Sequence, residues 1–272
     1  LQIKDYVLEE ELGQGAYGKV YKTSCNGMPL AIKACAFESP KARNTFNREV
    51  RSLMYSRQNN NTRTVQSKES FLIGDTGYII MEYMSHDLLQ EIQKAGIIQN
   101  EAKCARIFME VCEAVLECHS IGVAHMDLKP ENILVSRDNR YVLGDLGSCC
   151  LVDKPRTKKE GSRNYAAPEV VAQELYIPRQ ADIWSLGIIF HILVTGHFPD
   201  LCDHLRVALC DVQMLSTPCL SLISSMLSYN PADRPSLEVI MKNPWLRKTA
   251  GISKSSIDKI KNLLSFAIEA KL

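Results

Sequence analysis

The chain has 272 residues, enough for one large domain or for two lobes that share a cleft. Its 32 Lys and Arg oppose 31 Asp and Glu, so the formal charge of +1 gives no bulk attraction to nucleic acid or to a membrane surface. An apolar share of 46% is that of an ordinary globular protein and speaks against disorder and against a coiled coil. The 10 cysteines include no Cys-x-x-Cys pair, and the one close pair is the adjacent Cys149-Cys150. That spacing argues against a zinc site or a redox motif, and the expectation is reduced thiols in a cytoplasmic protein. The opening LQIKDYVLEE lacks the basic start and apolar run of a secretion signal, and the longest apolar stretch, SLGIIFHILVTG, is broken by polar residues and is too short to span a bilayer.

In chain order, YVLEEELGQGAYGKVYKTSC and PLAIKACAF alternate apolar and polar residues around a glycine cluster and read as strands joined by tight turns. SPKARNTFNREVRSLMYSR places Phe46, Val50, Leu53 and Met54 at helical spacing, with Ser39-Pro40 as a start signal. RQNNNTRTVQSKES reads as a polar loop, and FLIGDTGYIIMEYM as two strands around a Gly-Asp-Thr-Gly turn. After Met84 the pattern turns helical. QNEAKCARIFMEVCEAVLECHSIG repeats apolar residues every three or four positions, and QADIWSLGIIFHILVTG is apolar enough to sit at the centre of a core. PCLSLISSMLSYN and SLEVIMKN add two more helices. Strands first and helices afterwards predict an α+β chain in two lobes, divided at Glu82 to Ser85.

The residues able to carry chemistry follow the same order. Gly13, Gly15 and Gly18 form a Gly-x-Gly-x-x-Gly cluster, a weak signal alone. KVYKTS after it alternates like a strand, which argues against the strand–helix turn of a dinucleotide-binding fold. The glycines then sit in a hairpin, where bare backbone N–H groups can cover phosphates. Lys33 lies among apolar neighbours in LAIKA, where a lysine either snorkels to water or meets a buried anion. Glu49 is the candidate anion, although NREVRS around it reads as an exposed helix face. VAHMDLKPENILV is too polar for a core strand and its Pro130 argues against a helix, yet it brings Asp127, Lys129 and Asn132 together.

Glycine flap, strand lysine, helical glutamate, HMDLKPEN, LGDLGS, AAPEVV, ADIWSLG and NPADRPS form an ordered series that resembles the protein kinase family from about residue 6 to 246. The resemblance implies a two-lobed kinase fold, with a small antiparallel sheet lobe carrying one main helix (1–81), a hinge (82–85), a mainly helical lobe (86–246) and a helical extension (247–272) of regulatory character. It implies phosphoryl transfer from ATP to protein substrates. Gly13, Gly15 and Gly18 would cover ATP; Lys33 would hold its α- and β-phosphates and Glu49 would orient Lys33. Asp127 would accept the substrate hydroxyl's proton, and Lys129 would offset charge at the transferred group. Asn132 and Asp145 would be the ligands of Mg2+. Val20, Ala31 and Leu134 would sandwich the adenine, Met81 would guard the back of its pocket, Glu82 and Met84 would offer backbone hydrogen bonds, and Asp87 would reach the ribose. Asp182 would tie down the catalytic loop, and Glu169 would pair with Arg234 in the large lobe.

The series departs from the family pattern at Met126, where an arginine usually precedes the catalytic aspartate and pairs with a phosphate on the activation segment. Methionine cannot make that pair, so the expectation is activity that does not depend on activation-segment phosphorylation, unless Arg156 or Lys158 takes over. Leu146 stands where phenylalanine is usual, and Gln58 to Asn61 replace a turn that often holds a histidine. Lys129-Pro130-Glu131 resembles the Ser/Thr kinases, and SLISSMLSYNPADRPSLEVIMKNPWL is most similar to the calcium/calmodulin-dependent group. The tail SSIDKIKNLLSFAIEAKL has helical apolar spacing and is similar to the junction after the catalytic domain of calcium-dependent kinases, which would imply a calcium sensor as partner through this helix; the alternative is a helix packed on the large lobe. The alternative, an ATP-binding scaffold without catalysis, has Met126 and the 58–61 loop in its favour.

Overall fold

A computed structural model gives the fold and describes residues 2–15, 18–95, 100–201, 207–208 and 215–251. Five antiparallel strands form the first layer: β1 (Glu11–Gly15), β2 (Gly18–Cys25), β3 (Met28–Ala36), β4 (Ser67–Ile73) and β5 (Thr76–Glu82), in the spatial order β1-β2-β3-β5-β4. Helix α1 (Pro40–Gln58) crosses from β3 to β4; Ser39 caps it by accepting the Ala42 N–H at 3.2 Å, and Pro40 fits its first turn.

Strand periodicity decides what each face of this sheet buries. Ala31, Cys35, Ile79 and Met81 face α1 and meet its Phe46 and Leu53. Ile32 and Ile80 face the other way, under Ile3 and Tyr6 of a short N-terminal ribbon (Gln2–Ile3 with Tyr6–Val7). Lys33 lies on the α1 side of the sheet, in register with Val20 and Ile79. Of the apolar residues read on α1, Phe46 and Leu53 are buried, whereas Met54 is 53% exposed and takes no part in the core.

The second layer is helical. It contains α2 (Leu88–Ala95), α3 (Glu101–Ser120), α4 (Pro168–Val171), α5 (Pro178–Thr195), α6 (Thr217–Met226), α7 (Leu237–Lys242) and α8 (Pro244–Ala250). Asn100 caps α3 through the Ala102 and Lys103 N–H groups. Helix α5 is buried around nearly its whole circumference, as its apolar sequence predicts. The Phe108 ring of α3 stacks on Phe190 of α5, with centroids 4.1 Å apart and planes 10° apart. Short strands β6 (His86–Asp87), β7 (Val123–Ala124), β8 (Ile133–Val135), β9 (Tyr141–Leu143) and β10 (Cys150–Leu151) line the junction of the layers. They pair as β9-β8-β6 and β10-β7. This is the two-lobed α+β protein kinase fold. No described helix is long and apolar enough to cross a membrane. The tail apolar series from Ile257 onward lies outside the described residues.

The stretch read as a polar loop behaves otherwise. Asn61, Arg63, Thr64 and Val65 are all buried. The backbone of 63–65 pairs with β9, Val65 N–H to Leu143 O at 2.9 Å and Leu143 N–H to Arg63 O at 2.8 Å. Arg63 donates to Glu110 and Glu113 of α3, both at 2.6 Å, and the Thr62 N–H reaches Glu117 at 3.0 Å. The loop is thus a strap from α1 to the large lobe, and its polar side chains are matched to α3 instead of to water. Replacing Arg63 by Ala removes a cation shared by acidic groups and is expected to cost about 3 kcal/mol. A lower urea midpoint at unchanged slope would show it, and an unshifted midpoint would make the network no stronger than a surface one.

Candidate active site

The small lobe contributes a charge cluster on the cleft side of the sheet. Lys33 Nζ lies 2.7 and 2.8 Å from the two Glu49 carboxylate oxygens and 3.3 Å from Asp145 Oδ1. Glu49 is 3% exposed, so the exposed face that its neighbours predict is not where it lies. One turn of α1 on either side carries Thr45, Phe46 and Leu53 inward, and this is the face that Glu49 shares. Burial alone would pull the Lys33 pKa down, but the carboxylates of Glu49 and Asp145 outweigh it and keep Lys33 an ammonium above its usual range. Burial likewise opposes the charge on Asp145; the Lys33 ammonium outweighs it and holds that carboxyl below the usual value.

Asp145 is in the left-handed region (φ 49°), and its side chain accepts the Gly147 N–H. This turn aims Asp145 at Lys33 while Leu146 goes into the apolar cluster under α1, with Phe46 and Leu53. Leucine therefore fills an apolar slot at the position where phenylalanine is usual.

The large lobe supplies the second half. Asp182 of α5 is 1% exposed and accepts three groups: His125 N–H at 2.9 Å, Met126 N–H at 2.9 Å, and His119 Nε2 at 2.8 Å. These bonds hold Met126 at φ 67°, a conformation that costs a non-glycine residue about 1–2 kcal/mol. The turn presents Asp127 to the cleft. Ser162 N–H donates to Asp127 Oδ1 at 2.8 Å, and Asn132 Nδ2 donates to the Asp127 carbonyl at 2.8 Å and to Oδ2 at 3.2 Å. Asn132 thereby spends its amide N–H on Asp127 and not its Oδ1. Lys129 Nζ is 3.0 Å from Ser162 Oγ and 3.6 Å from Asp127 Oδ2.

Between these halves lies an apolar cluster. Val20, Leu134 and Met84 pack partly buried against Ala31 and Met81. Asp87 pairs with Leu134 in the β6–β8 register, and its Oδ1 already accepts the Gln90 N–H at 2.8 Å. The Glu82 N–H is taken by Gln66 O at 3.0 Å and its carboxylate by the Gln66 N–H, so neither serves a ligand. What Glu82 has to offer the cleft is its carbonyl.

The glycine hairpin shows two uses of glycine. A Cβ at Gly18 would lie 2.3 Å from the Ala34 carbonyl oxygen, so the protein's own packing demands glycine there. A Cβ at Gly13 would meet nothing within 4 Å, and at Gly15 only Gly18 O at 3.9 Å. These two leave open space above the cleft, which fits a group that approaches the backbone closely. Ala16 and Tyr17 lie outside the described residues. A hard-oxygen pair (Asp145, Asn132), an ammonium and this open hairpin fit Mg2+ and a polyphosphate by their chemistry.

Deeper in the large lobe Arg234 forms a two-pronged pair with Glu169, at 2.6 and 2.8 Å, with its guanidinium 5.1 Å from the centre of the Trp184 ring. At 0% and 6% side-chain exposure this is a buried pair and not the surface contact that composition alone allows.

Sequence reasoning missed three contributors. His125 accepts the Asp127 N–H at Nδ1 and contacts Gly144 O through Nε2 at 2.9 Å, which links the two acidic turns. Gly161, at φ 80°, passes over the catalytic loop so closely that a Cβ would lie 2.3 Å from Met126 O. Glu160 gathers Arg48, Arg156 and Lys158 around one carboxylate. A histidine, a glycine and a glutamate within polar runs give no periodic signal; only the adjacency of Gly161 to the segment before AAPEVV could have pointed to it.

A sequence model of the protein kinase domain matches residues 6–246, so the chain belongs to the protein kinase domain family. It is 29% identical to a probable serine/threonine-protein kinase MARK-A of Dictyostelium discoideum, over 97% of this chain but only 26% of that protein. It is 32% identical to the serine/threonine-protein kinase pim-2 of Danio rerio, over 91% of this chain and 86% of that protein. A CBL-interacting serine/threonine-protein kinase 5 of Arabidopsis thaliana is 30% identical over 89% of this chain and 58% of its own length. With these relatives the domain is a serine/threonine protein kinase.

Replacing Gly161 by Ala puts a Cβ against the Met126 carbonyl and strains a positive φ. The segment must lift and take Ser162 N–H away from Asp127. Steady-state kinetics should show kcat falling at least tenfold with the ATP KM little changed; equal wild-type values would mean that the close approach is immaterial.

Proposed function

We propose that this domain transfers the γ-phosphoryl group of ATP to Ser or Thr hydroxyls of protein substrates, and does so without a phosphate on its own activation segment. The observation that carries the first part is the alignment of Lys33, Glu49 and Asp145 on one side of the cleft with Asp127, Lys129 and Asn132 on the other. Lys33, fixed by Glu49, holds the α- and β-phosphates. Asp145 and Asn132 supply oxygen ligands for Mg2+, which when bound neutralises charge between the phosphates. Asp127 is pinned at one oxygen by the Ser162 N–H and approached at the other by Asn132 and Lys129, so its carboxylate is oriented before a hydroxyl arrives. It accepts that hydroxyl's proton, and Lys129 offsets charge at the transferred group. Gly13, Gly15 and Gly18 cover the phosphates. Val20, Ala31 and Leu134 hold the adenine, with Met81 behind it, the Glu82 carbonyl and the Met84 backbone on its edge, and Asp87 toward the ribose.

The second part rests on Met126, which is buried and uncharged and so offers nothing to a phosphate. The run that folds as α6 to α8 supports placing the domain near the calcium/calmodulin-dependent group. The apolar spacing of residues 257–268 supports a regulatory helix there that takes a calcium sensor as partner; some relatives are themselves named for an interacting protein. Thiols at Cys118, Cys149 and Cys219 support a cytoplasmic setting.

The test is phosphotransfer from Mg·ATP to a basic peptide by unphosphorylated protein. Asp127→Asn should lower the rate by about 10²–10⁴. Thr157→Ala should keep most activity, and a loss of tenfold or more (about 1.4 kcal/mol) would overturn independence from segment phosphorylation. A wild type that binds ATP and transfers nothing would replace the enzyme reading by the scaffold one.

A further inference from the structure

Glu160 precedes the glycine that crosses the catalytic loop, yet its carboxylate belongs to another part of the fold. Arg48 of α1 donates to it at 2.9 Å, from a position adjacent to Glu49. Arg156 reaches the same oxygen at 3.3 Å, and Lys158 also binds it. The Glu160 side chain is 11% exposed and Arg156 19%, whereas Lys158 reaches it from the solvent side at 56% exposure. Glu160 also borders a small crevice with Met126, Ala167 and Asp182, beside the position that carries no positive charge. On its C-terminal side, Gly161 packs on Met126 O and Ser162 N–H meets Asp127.

One carboxylate therefore touches helix α1 and the activation segment directly above the catalytic turn. We propose that Glu160 is a positioning residue: a built-in anion that ties Arg48 to the segment, and so sets Glu49 against Lys33 and Ser162 against Asp127. The inference rests on the reading that the segment needs no phosphate, and supplies the group that does that work. The physics favours a permanent anion here. Burial pushes the Glu160 carboxyl up, but hydrogen bonds from Lys158 and Arg48 outweigh it and hold it below the usual carboxylate range. Without the charge, the Arg48 and Arg156 guanidiniums face each other across a neutral group. Their repulsion drives the N-terminal half of α1 away from the segment and draws Glu49 from Lys33.

The experiment compares unphosphorylated wild type with Glu160→Gln, Glu160→Asp, Arg48→Ala and the double variant Arg48→Ala/Glu160→Gln, reading kcat, ATP KM and Tm for each. Glu160→Gln should lower kcat at least tenfold, and Glu160→Asp should recover part of the loss. Arg48→Ala should fall similarly, and the double variant no further than the worse single one, because both remove one contact. A merely structural role would lower Tm and leave the folded enzyme's kcat intact. Glu160→Gln within twofold of wild type in kcat, or losses that multiply in the double variant, would overturn the proposal while leaving phosphate-independent activity standing. Should Glu160→Gln not fold, an unchanged kcat in Arg48→Ala overturns it equally. Wild type that needs a segment phosphate would remove the underlying reading, and the role of Glu160 with it.

Discussion

The buried carboxylate of Asp182 is the constraint on which the site depends. A turn with a methionine at positive φ does not hold itself; it persists where its surroundings over-determine it. Asp182 binds two consecutive N–H groups of that turn and a histidine from α3, so three segments of the large lobe converge on one side chain. Helix α5, which carries it, is packed on nearly all sides and cannot shift without disturbing the main core. The rigidity of the apolar core is thereby transmitted to a loop whose own residues are polar. Asp127 inherits its position from a helix fifty-odd positions further along the chain.

The two halves of the cleft are built by different physics. The large-lobe half is fixed by backbone hydrogen bonds to buried carboxylates, which tolerate little change in distance. The small-lobe half is fixed by charge: Lys33 and Glu49 lie buried against each other, and Asp145, with a third of its side chain exposed, completes the compensation from the cleft. Such a cluster is stable only when all its members are present. In the hairpin above it, a Cβ at Gly13 would meet nothing within 4 Å and one at Gly15 only Gly18 O, so internal packing leaves these two positions undetermined.

Much of this was legible in the chain. The fold class followed from strands preceding helices, and α5 from a run too apolar for any surface. Asp127, Lys129 and Asn132 stood out because polar residues between apolar runs demand a chemical reason, and Asp145 followed from the family resemblance of LGDLGS. What escaped were meetings between distant segments that neither periodicity nor the family resemblance marks. Arg48 and Glu160 are 112 positions apart, and each sits in a run that reads as solvated charge. Arg63 lies among asparagines and threonines that composition assigns to water; its burial follows from Glu110, Glu113 and Glu117 on α3, whose spacing places them on a neighbouring stripe. The run around Glu49 reads as exposed helix, and only its pairing with Lys33 marks it as a buried charge. The commitment of the Glu82 N–H to Gln66 is a matter of register, which sequence does not carry.

The strap around Arg63 has a mechanical consequence. It clamps the C-terminal end of α1 to α3 and β9, so that end is the fulcrum of any swing of the helix. Glu49 lies nine residues from Gln58, a lever arm of about 14 Å at 1.5 Å per residue. A tilt of roughly 20° about that fulcrum carries Glu49 about 5 Å, enough to part it from Lys33 without breaking any contact of the strap. Such a swing lifts Phe46 from the sheet and parts Arg48 from Glu160, so the contacts of the N-terminal half of one helix set the resistance to disengaging the small lobe.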